Sequence, residues 1–283
     1  MKTQFMFDGS VSLVGIITLF YPDNLYGSIQ TYERLRCYLW VSRFIFWFFV
    51  LLSACNLICI AADRLRATVF LATYGRTEKM MKVTYYSGIF IYALLNSIPF
   101  IFTVDFLDTK CMHQIEHRVT ESLIKYLRFC AFQWMVAGYL LPGISMVICH
   151  LTVFRFLHKI ADRKLANLQN ANSASNVASS CSSLNKSILV SAMTMCAAFL
   201  ITHAYRVVYF LLYAYQYIPL EPVSVARRLG VFLTIVNSAF NPLLMVLSSP
   251  PFRRRLFRFV FEFRRQLRPD SGVVMGQNIP TSA

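Results

Sequence analysis

Charged residues are scarce in this chain. Only 14% of its 283 residues are Asp, Glu, Lys or Arg, whereas 57% are hydrophobic, and the mean hydropathy is +0.51. Soluble globular domains usually contain about 25% charged residues. The scarcity therefore excludes an ordinary water-soluble domain, and it predicts a protein that lives in a lipid bilayer.

Acidic residues are scarcer still. The chain has 13 acids against 28 lysines and arginines, which gives a formal net charge of +15. Such an excess could indicate nucleic-acid binding, but the basic residues alternate with long uncharged runs and do not form one patch. We therefore expect no nucleic-acid partner, and the bilayer is the partner that the charge pattern indicates.

Signatures of catalysis and of secretion are also lacking. The sequence contains no His-Glu-x-x-His, no phosphate-binding loop and no Ser/His/Asp set whose members could share one face. Residues 1–22 show no basic region followed by a small-residue cleavage site, so we do not interpret them as a signal peptide. The sequence predicts a protein that is not an enzyme.

Long uncharged runs are what the chain does contain. They cover residues 9–22, 44–62, 83–104, 129–154, 187–205 and 229–252. At about 1.5 Å per helical residue, the last five are long enough to cross the ~30 Å hydrocarbon core of a bilayer. The first reaches if 3–21 forms the helix and Asp8 is tolerated inside the membrane. We predict an all-α membrane protein with six transmembrane helices.

The distribution of basic residues orients these helices. Loops 64–82 and 155–186, together with the tail from 252, carry seventeen lysines and arginines, whereas the opposite side carries eight. Because basic residues concentrate on the cytoplasmic side, the richer side and the C-terminal tail are predicted to be cytoplasmic.

An ordered set of motifs runs along these helices. Asp63-Arg64-Leu65 ends the 44–62 run, and Asn237-Ser238-Ala239-Phe240-Asn241-Pro242 lies in the last run. The full set in chain order is Cys37, Asp63-Arg64, Cys111, Pro142, Phe199 and Asn241-Pro242. In order and spacing this set resembles the rhodopsin-like (class A) family of G-protein-coupled receptors, and among these it is similar to peptide receptors.

The resemblance implies a seven-helix receptor bundle of which this chain has six helices. Asp63-Arg64 ends the family's third helix, so residues 1–22 would belong to the second, and the chain is expected to be N-terminally truncated with its first helix missing. Residues 1–250 are then the bundle. Apolar residues at 252, 256, 259 and 263 predict an amphipathic inner-leaflet helix over 251–267, and 268–283 is expected to be a disordered cytoplasmic tail.

The same resemblance assigns roles to several residues. Asp63, Arg64, Asn241 and Pro242 would form the switch that couples to a heterotrimeric G protein. Cys37 and Cys111 would form a disulfide on the outer side, although Cys37 is two residues further from Arg64 than is usual, which suggests an irregular helix start. Leu65 and Met245 replace family tyrosines, as does His150, so we expect weak or atypical coupling.

A sodium site in the bundle is the one metal site that the resemblance implies. Its residues would be Asp8, Ser53, Asn237, Ser238 and Asn241. A carboxylate at membrane depth is costly, and a cation held by it offsets that cost. The alternative is that Asp8 lies near the cytoplasmic interface and binds nothing.

Pocket residues are indicated by polar groups at membrane depth. His203 and Arg206 stand where an ionisable pair is costly unless it faces a wet cavity, although His203 could simply hydrogen-bond a neighbouring helix. The candidate ligand pocket comprises Arg43, Phe46, Gln133, Trp134, His203, Arg206 and Tyr209. Phe46 and Ile235 occupy the places of the aspartate of amine receptors and the lysine of opsins, so amines and retinal are not expected. Polar outer loops favour a peptide.

The sequence thus predicts a plasma-membrane receptor that senses an extracellular peptide and activates a G protein, with no cofactor other than an allosteric sodium ion. Two alternatives stay open. The chain could be a six-helix protein in its own right, or a fragment of a polytopic transporter or channel. A transporter would be expected to show Gly/Pro-interrupted segments in corresponding positions of two halves, and the sequence shows no such symmetry.

Overall fold

The structure, a computed structural model, describes residues 2–20, 29–70, 78–107, 110–114, 120–168, 176–218, 225–248, 257–259 and 261–262. The α-helices are α1 (Lys2–Phe20), α2 (Gln30–Arg36), α3 (Phe44–Val69), α4 (Glu78–Ser97), α5 (Glu121–Gln133), α6 (Leu141–Leu168), α7 (Asn176–Ala214) and α8 (Val225–Ser248). Two π-helices, Cys37–Val41 and Trp134–Leu140, join α2 to α3 and α5 to α6. A 3-10 helix, Ile98–Thr103, follows α4 and leads into strands β1 (Val104–Leu107) and β2 (Lys110–His113).

Helices long and apolar enough to cross a membrane account for most of the described chain. Five stretches qualify by length and composition: Thr3–Phe20, Gln30–Val69, Val83–Thr103, Glu121–Ile160 and Met193–Ala214. The sixth helix of the bundle, α8, has 24 residues and contains Pro242. Helices satisfy their backbone groups internally, which a bilayer requires. The predicted all-α membrane fold is confirmed.

Helix α3 stands at the centre of the bundle. It packs against α1, α4 and α6, while α8 packs against both α1 and α7, and α7 packs against α6. Helices α1, α3, α6, α7 and α8 therefore surround a common interior. The polar and charged side chains buried at membrane depth lie in this interior.

The start of α3 is irregular, as its spacing suggested. The π-helix Cys37–Val41 precedes a break at which Arg43 adopts a left-handed conformation, with φ of 64°. The hydroxyl of Ser42 accepts a hydrogen bond from the Phe44 amide at 3.1 Å and so satisfies one donor of the new helix. The π-helix and the break accommodate the two additional residues between Cys37 and Arg64.

The second π-helix lies directly before Pro142. A proline within a helix lacks an amide hydrogen and clashes with the preceding turn. The amide of Leu141 bonds to the carbonyl of Val136, five residues back, so the chain loosens locally at this place. The irregularity before Pro142 therefore takes the form of a π-helix. It carries Trp134, which is 4% exposed, toward the interior of the bundle.

A short hairpin covers the outer end of the bundle. Strands β1 and β2 are antiparallel, with Phe106 opposite Cys111 and Val104 opposite His113. Cys111 is disulfide-bonded to Cys37, with Cα atoms 5.5 Å apart, so the predicted disulfide is confirmed. The bond fastens the hairpin to the chain just before α3. Cys37 and Val104 are fully buried beside it.

Residues 166–185, between α6 and α7, are rich in Asn, Ser and Ala. Helix α6 continues to Leu168 and α7 begins at Asn176, so both helices extend into this segment. Extending an existing helix fixes only one more residue per hydrogen bond, so small residues can follow a membrane helix outward.

Of the predicted inner-leaflet helix over 251–267, residues 257–259 and 261–262 are helical; its remainder and the tail 268–283 lie outside the described residues.

Candidate functional site

Arg206 of α7 is buried at the heart of the bundle. Its side chain reaches across to α8, where Nη1 donates to Oγ1 of Thr234 at 3.3 Å. Thr234 donates in turn to the carbonyl of Gly230. Nε and Nη2 of Arg206 have no hydrogen-bond partner within the described chain. Arg206 is therefore a buried cation whose hydrogen bonds are only partly satisfied.

Aromatic rings enclose this guanidinium. Its Cζ atom lies 4.2 Å from the ring centroid of Trp47 in α3 and 4.9 Å from that of Trp134. The two tryptophan rings are 5.2 Å apart, and Phe100 packs against both. Phe210, one turn after Arg206, extends the cluster toward the outer side. We call Trp47, Phe100, Trp134, Arg206 and Phe210 the aromatic cage.

Positive charge also gathers at the outer end of the bundle. His113 of β2 lies near Arg43 and Arg227. Arg43 immediately precedes α3, and Arg227 lies near the start of α8. Burial, together with the positive charges of Arg227 and Arg43, lowers the pKa of His113 to about 3, opposed by a hydrogen bond with the backbone of Thr103. His113 is therefore neutral at physiological pH, with two arginines nearby.

A polar cluster lies deeper, between α1 and α3. Ser53 donates to Oδ1 of Asp8 at 2.5 Å, and the Gln4 amide donates to Oδ2 of Asp8 and to Ser53, both at 2.9 Å. Asn56 donates to the Gln4 carbonyl oxygen at 2.7 Å. All four side chains are at most 5% exposed. The structure thus places Asp8 inside the bundle beside Ser53, which disagrees with the alternative of an interfacial Asp8.

The α8 residues of the predicted sodium site face the same interior. Asn237, Ser238 and Asn241 are all buried. Asn241 approaches the Asp8 carboxyl without a hydrogen bond of good geometry, and its side-chain oxygen and that of Asn237 have no partner in the described part of the chain. Buried oxygens without donors beside a carboxylate fit a small hard cation. The donor set present is therefore compatible with sodium.

A packed core links the cage to the cytoplasmic half. His203, one turn below Arg206, stacks on Phe199 with ring centroids 4.3 Å apart. Phe199 is 1% exposed and packs with Leu57 and Ala61 of α3 and with Met146 of α6. His203 contacts Phe199 and Thr202 of its own helix. The contacts thus run from His203 through Phe199 toward the end of α3 that carries Asp63 and Arg64.

The other predicted pocket residues are more dispersed. Phe46 is buried against Trp47 and lies near Gly15 of α1, whereas Gln133 donates to Asn96 of α4 at 3.1 Å and so belongs to the bundle's periphery. Arg43 stands at the outer mouth, and Tyr209 is half-buried in α7. Trp134 and Arg206 are thus the predicted pocket residues that directly touch each other.

The coupling-switch residues lie where the motifs indicated. Asp63 and Arg64 are half-buried in α3, which continues past them to Val69. Asn241 is fully buried, and Pro242 lies inside α8. The predicted switch residues therefore lie at two separate places, one near the end of α3 and one in the interior beside Asp8.

Sequence reasoning missed several members of these clusters. Trp47 and Phe100 lie in runs where nearly every residue is apolar, so periodicity does not reveal which side chain faces inward. Thr234 and Gln4 could have been found, because each lies one helical turn from a predicted residue, Asn237 and Asp8 respectively.

Comparison with known proteins decides the family. The family model described as the seven-transmembrane receptor of the rhodopsin family matches residues 11–244, most of the chain. The chain belongs to the rhodopsin family of seven-transmembrane receptors. It is thus a multi-pass membrane receptor, and the resemblance predicted from its motifs is confirmed.

Individual members of the rhodopsin family are only distantly similar. Cysteinyl leukotriene receptor 1 of Mus musculus is 24% identical over 179 residues, which are 61% of this chain and 47% of that protein. The chain thus spans about half the length of this curated relative. The crystal structure of squid rhodopsin matches with a TM-score of 0.61 and 16% identity, covering 95% of this chain and 87% of the other. That likeness concerns the fold alone.

Proposed function

We propose that this receptor binds an extracellular peptide at the outer half of the bundle and activates a heterotrimeric G protein from the cytoplasmic side. It would act in the plasma membrane with its C-terminus in the cytoplasm. The observation that carries this proposal is the order of three residues along α7. Arg206 is followed one turn inward by His203, His203 stacks on Phe199, and Phe199 packs in a cluster with Leu57 and Ala61 of α3.

The outer half offers features that suit a peptide. The hairpin of β1 and β2 is held over the mouth by the Cys37–Cys111 disulfide, and Arg43 and Arg227 lie near His113 of this hairpin. Peptides present amides and terminal charges, which need polar and charged partners. Phe46, where an amine receptor would have its aspartate, supports the exclusion of amines.

The cytoplasmic half suits a two-state switch. A ligand that touches Arg206 moves α7, and α7 carries Phe199, which fills the space between α3 and α6. Displacing Phe199 would open the cytoplasmic side and expose Arg64 to a G protein. Leu65 and Met245 stand where tyrosines would support the open state, so the proposed coupling is weak or atypical.

A sodium ion is part of this proposal. Asp8, Ser53, Asn237, Ser238 and Asn241 would hold it in the interior between α1, α3 and α8. A bound cation supplies positive charge that compensates the buried carboxylate. These residues would hold the closed bundle together, because α8 cannot move from α1 without giving up the shared ligands. Sodium would then favour the inactive state.

Nucleotide exchange in membranes tests ligand class and coupling together. Membranes from cells that express the receptor would be exposed to fractionated peptide extracts, with and without protease digestion. We expect at least one fraction to stimulate GTPγS binding, to lose its effect after digestion and to have no effect on the Arg64→Ala variant. Stimulation that survives digestion would contradict a peptide ligand, and stimulation unchanged in Arg64→Ala would contradict the proposed switch.

A further inference from the structure

The unpaired edge of Arg206 is the feature of the interior that still needs a partner. Nε and Nη2 lie on the same edge of a guanidinium, and their N–H bonds point in parallel. This edge is where a carboxylate binds with both oxygens. Both nitrogens are buried and have no hydrogen-bond partner among the described residues, whereas Nη1 on the other edge donates to Thr234.

Leaving a buried cation in this condition is costly. A charged donor that is removed from water without a replacement partner is strongly unfavourable at membrane depth. The faces of the guanidinium gain from Trp47 and Trp134, but contacts to ring faces leave the edge N–H groups unsatisfied. The aromatic rings of the cage therefore stabilise the Arg206 cation and leave its Nε and Nη2 edge available for hydrogen bonds.

Acidic side chains of the described chain do not fill this edge. Glu33 pairs with Arg36, Glu121 with Lys125 and Asp162 with His158. Asp8, which is buried in the interior, accepts hydrogen bonds from Gln4 and Ser53. Within the described part of the chain, the Nε and Nη2 edge of Arg206 therefore has no acidic partner and is open to a ligand.

From these observations we propose that the ligand of this receptor carries a carboxylate, which binds bidentately to Nε and Nη2 of Arg206, next to an apolar or aromatic group that packs against the cage. This inference deepens the proposed receptor function and rests on it. The rings of Phe100 and Phe210, whose centroids are 6.4 Å apart, provide the apolar wall.

Two sources can supply this chemistry. The carboxylate can be the C-terminus of a peptide, or it can be the acid group of a small amphipathic molecule. Both present a planar anion beside an apolar body, so the cage recognises what they share. Matched pairs of probes, in which an uncharged amide replaces the acid, separate the contribution of the carboxylate from that of the apolar body.

The experiment measures binding to the purified receptor in lipid nanodiscs, by tryptophan fluorescence and by thermal shift. The chain has three tryptophans, and two of them contact Arg206, so fluorescence reports on the cage. The first pair of probes is 4-phenylbutyrate and 4-phenylbutyramide. The second is N-acetyl-Phe-Phe with a free C-terminus and the same dipeptide as its C-terminal amide.

We expect the acid of at least one pair to bind about tenfold or more tightly than its amide, because a hydrogen bond to a buried charge is worth roughly that factor. Preference for the peptide acid alone indicates a peptide source, and preference for 4-phenylbutyrate alone indicates a small acid. Wild-type receptor that binds acid and amide equally in both pairs overturns the proposal, whatever the variants do.

Variants of Arg206 test whether this residue causes the preference for the acid over its amide. Arg206→Gln should abolish it, and Arg206→Lys should retain a reduced preference, since lysine keeps the charge but not the fork. Arg228→Gln is the matched control, because Arg228 is an exposed arginine of α8 at the outer mouth. An acid preference that persists undiminished in Arg206→Gln would overturn the assignment. Binding is measured without a G protein, so failure of signalling and failure of this inference are distinguishable.

Discussion

The ring of Trp47 in α3 lies 4.2 Å from the guanidinium carbon of Arg206 in α7. This contact joins the central helix of the bundle to the helix that carries Phe199 and His203. A substitution of Arg206 therefore affects the packing of both helices. The strength of the contact between Trp47 and Arg206 can be measured without a ligand.

Substituting both partners should show that they are coupled. In unfolding experiments on Trp47→Leu, Arg206→Met and the double variant, we expect a coupling free energy of roughly 1–2 kcal/mol, as for a desolvated cation–π pair. The matched cycle with Trp40→Leu should show no coupling, since Trp40 lies in the π-helix before α3 and outside the cage. Additive effects of Trp47→Leu and Arg206→Met would mean that the contact contributes nothing.

Sodium should raise the thermal stability of the receptor through Asp8. Unfolding temperatures would be compared in sodium chloride and in N-methyl-D-glucamine chloride at equal ionic strength, since a bulky organic cation cannot enter the interior. We expect stabilisation by sodium in wild type and its loss in Asp8→Asn. The control is Asp63→Asn, which removes a half-buried acid elsewhere and should keep the sodium effect. Equal sodium effects in wild type and Asp8→Asn would exclude Asp8 as a ligand.

Loss of the Cys37–Cys111 disulfide should destabilise the outer end of the bundle. The bond closes a long segment, with a sequence separation of 74 residues, so its removal should cost about 2–4 kcal/mol. Cys37→Ser, Cys111→Ser and the double variant should be equally affected, whereas Cys59→Ser, a free thiol in α3, should be near wild type. Additive losses in the double variant would show that each cysteine acts separately.

Acid should weaken the outer mouth through His113. Its pKa is about 3 in the folded protein and about 6.5 when unfolded, so between these values the unfolded state binds a proton that the folded state does not. Stability from this residue is complete above about pH 6.5 and falls as the pH decreases. His113→Asn should therefore lose less thermal stability than wild type between about pH 7.5 and about pH 5.

The control for this pH effect is His158→Asn. His158 is an exposed histidine that pairs with Asp162 in α6, far from the outer mouth. The His158→Asn variant should lose about as much thermal stability between neutral and acidic pH as wild type does. If His113→Asn and wild type lost the same stability, burial of neutral His113 would not contribute to the acid sensitivity.

Much of this architecture could be predicted from the sequence, because charged residues are rare in the chain and therefore informative. The helices follow from uncharged runs, and the pairing of Cys37 with Cys111 followed from the family resemblance. The spacing between Cys37 and Arg64 even indicated the irregular start of α3. Asp8, an isolated acid in an apolar helix, was placed beside Ser53 by the same reasoning.

Side-chain direction inside the bundle could not be predicted in the same way. Residues 44–52 are all apolar, so no periodicity distinguishes Trp47 from its neighbours, and the two π-helices shift the phase of α3 and α6. Gln133 was expected in the pocket, whereas its side chain donates a hydrogen bond to Asn96 of α4. Polar residues at membrane depth can be recognised in the sequence because burying them costs free energy. The direction of an apolar side chain is known only once the packing of the helices is known.

The central claim, that the receptor activates a G protein through Arg64, is tested most directly by nucleotide exchange with purified components. Receptor in nanodiscs would be mixed with each class of heterotrimeric G protein, and GTPγS binding would be followed for wild type, Asp63→Asn and Arg64→Ala. We predict weak basal exchange on at least one class, higher exchange in Asp63→Asn, and exchange at the receptor-free background in Arg64→Ala. Absence of exchange with every class in both wild type and Asp63→Asn, or exchange in Arg64→Ala equal to wild type, would contradict the account.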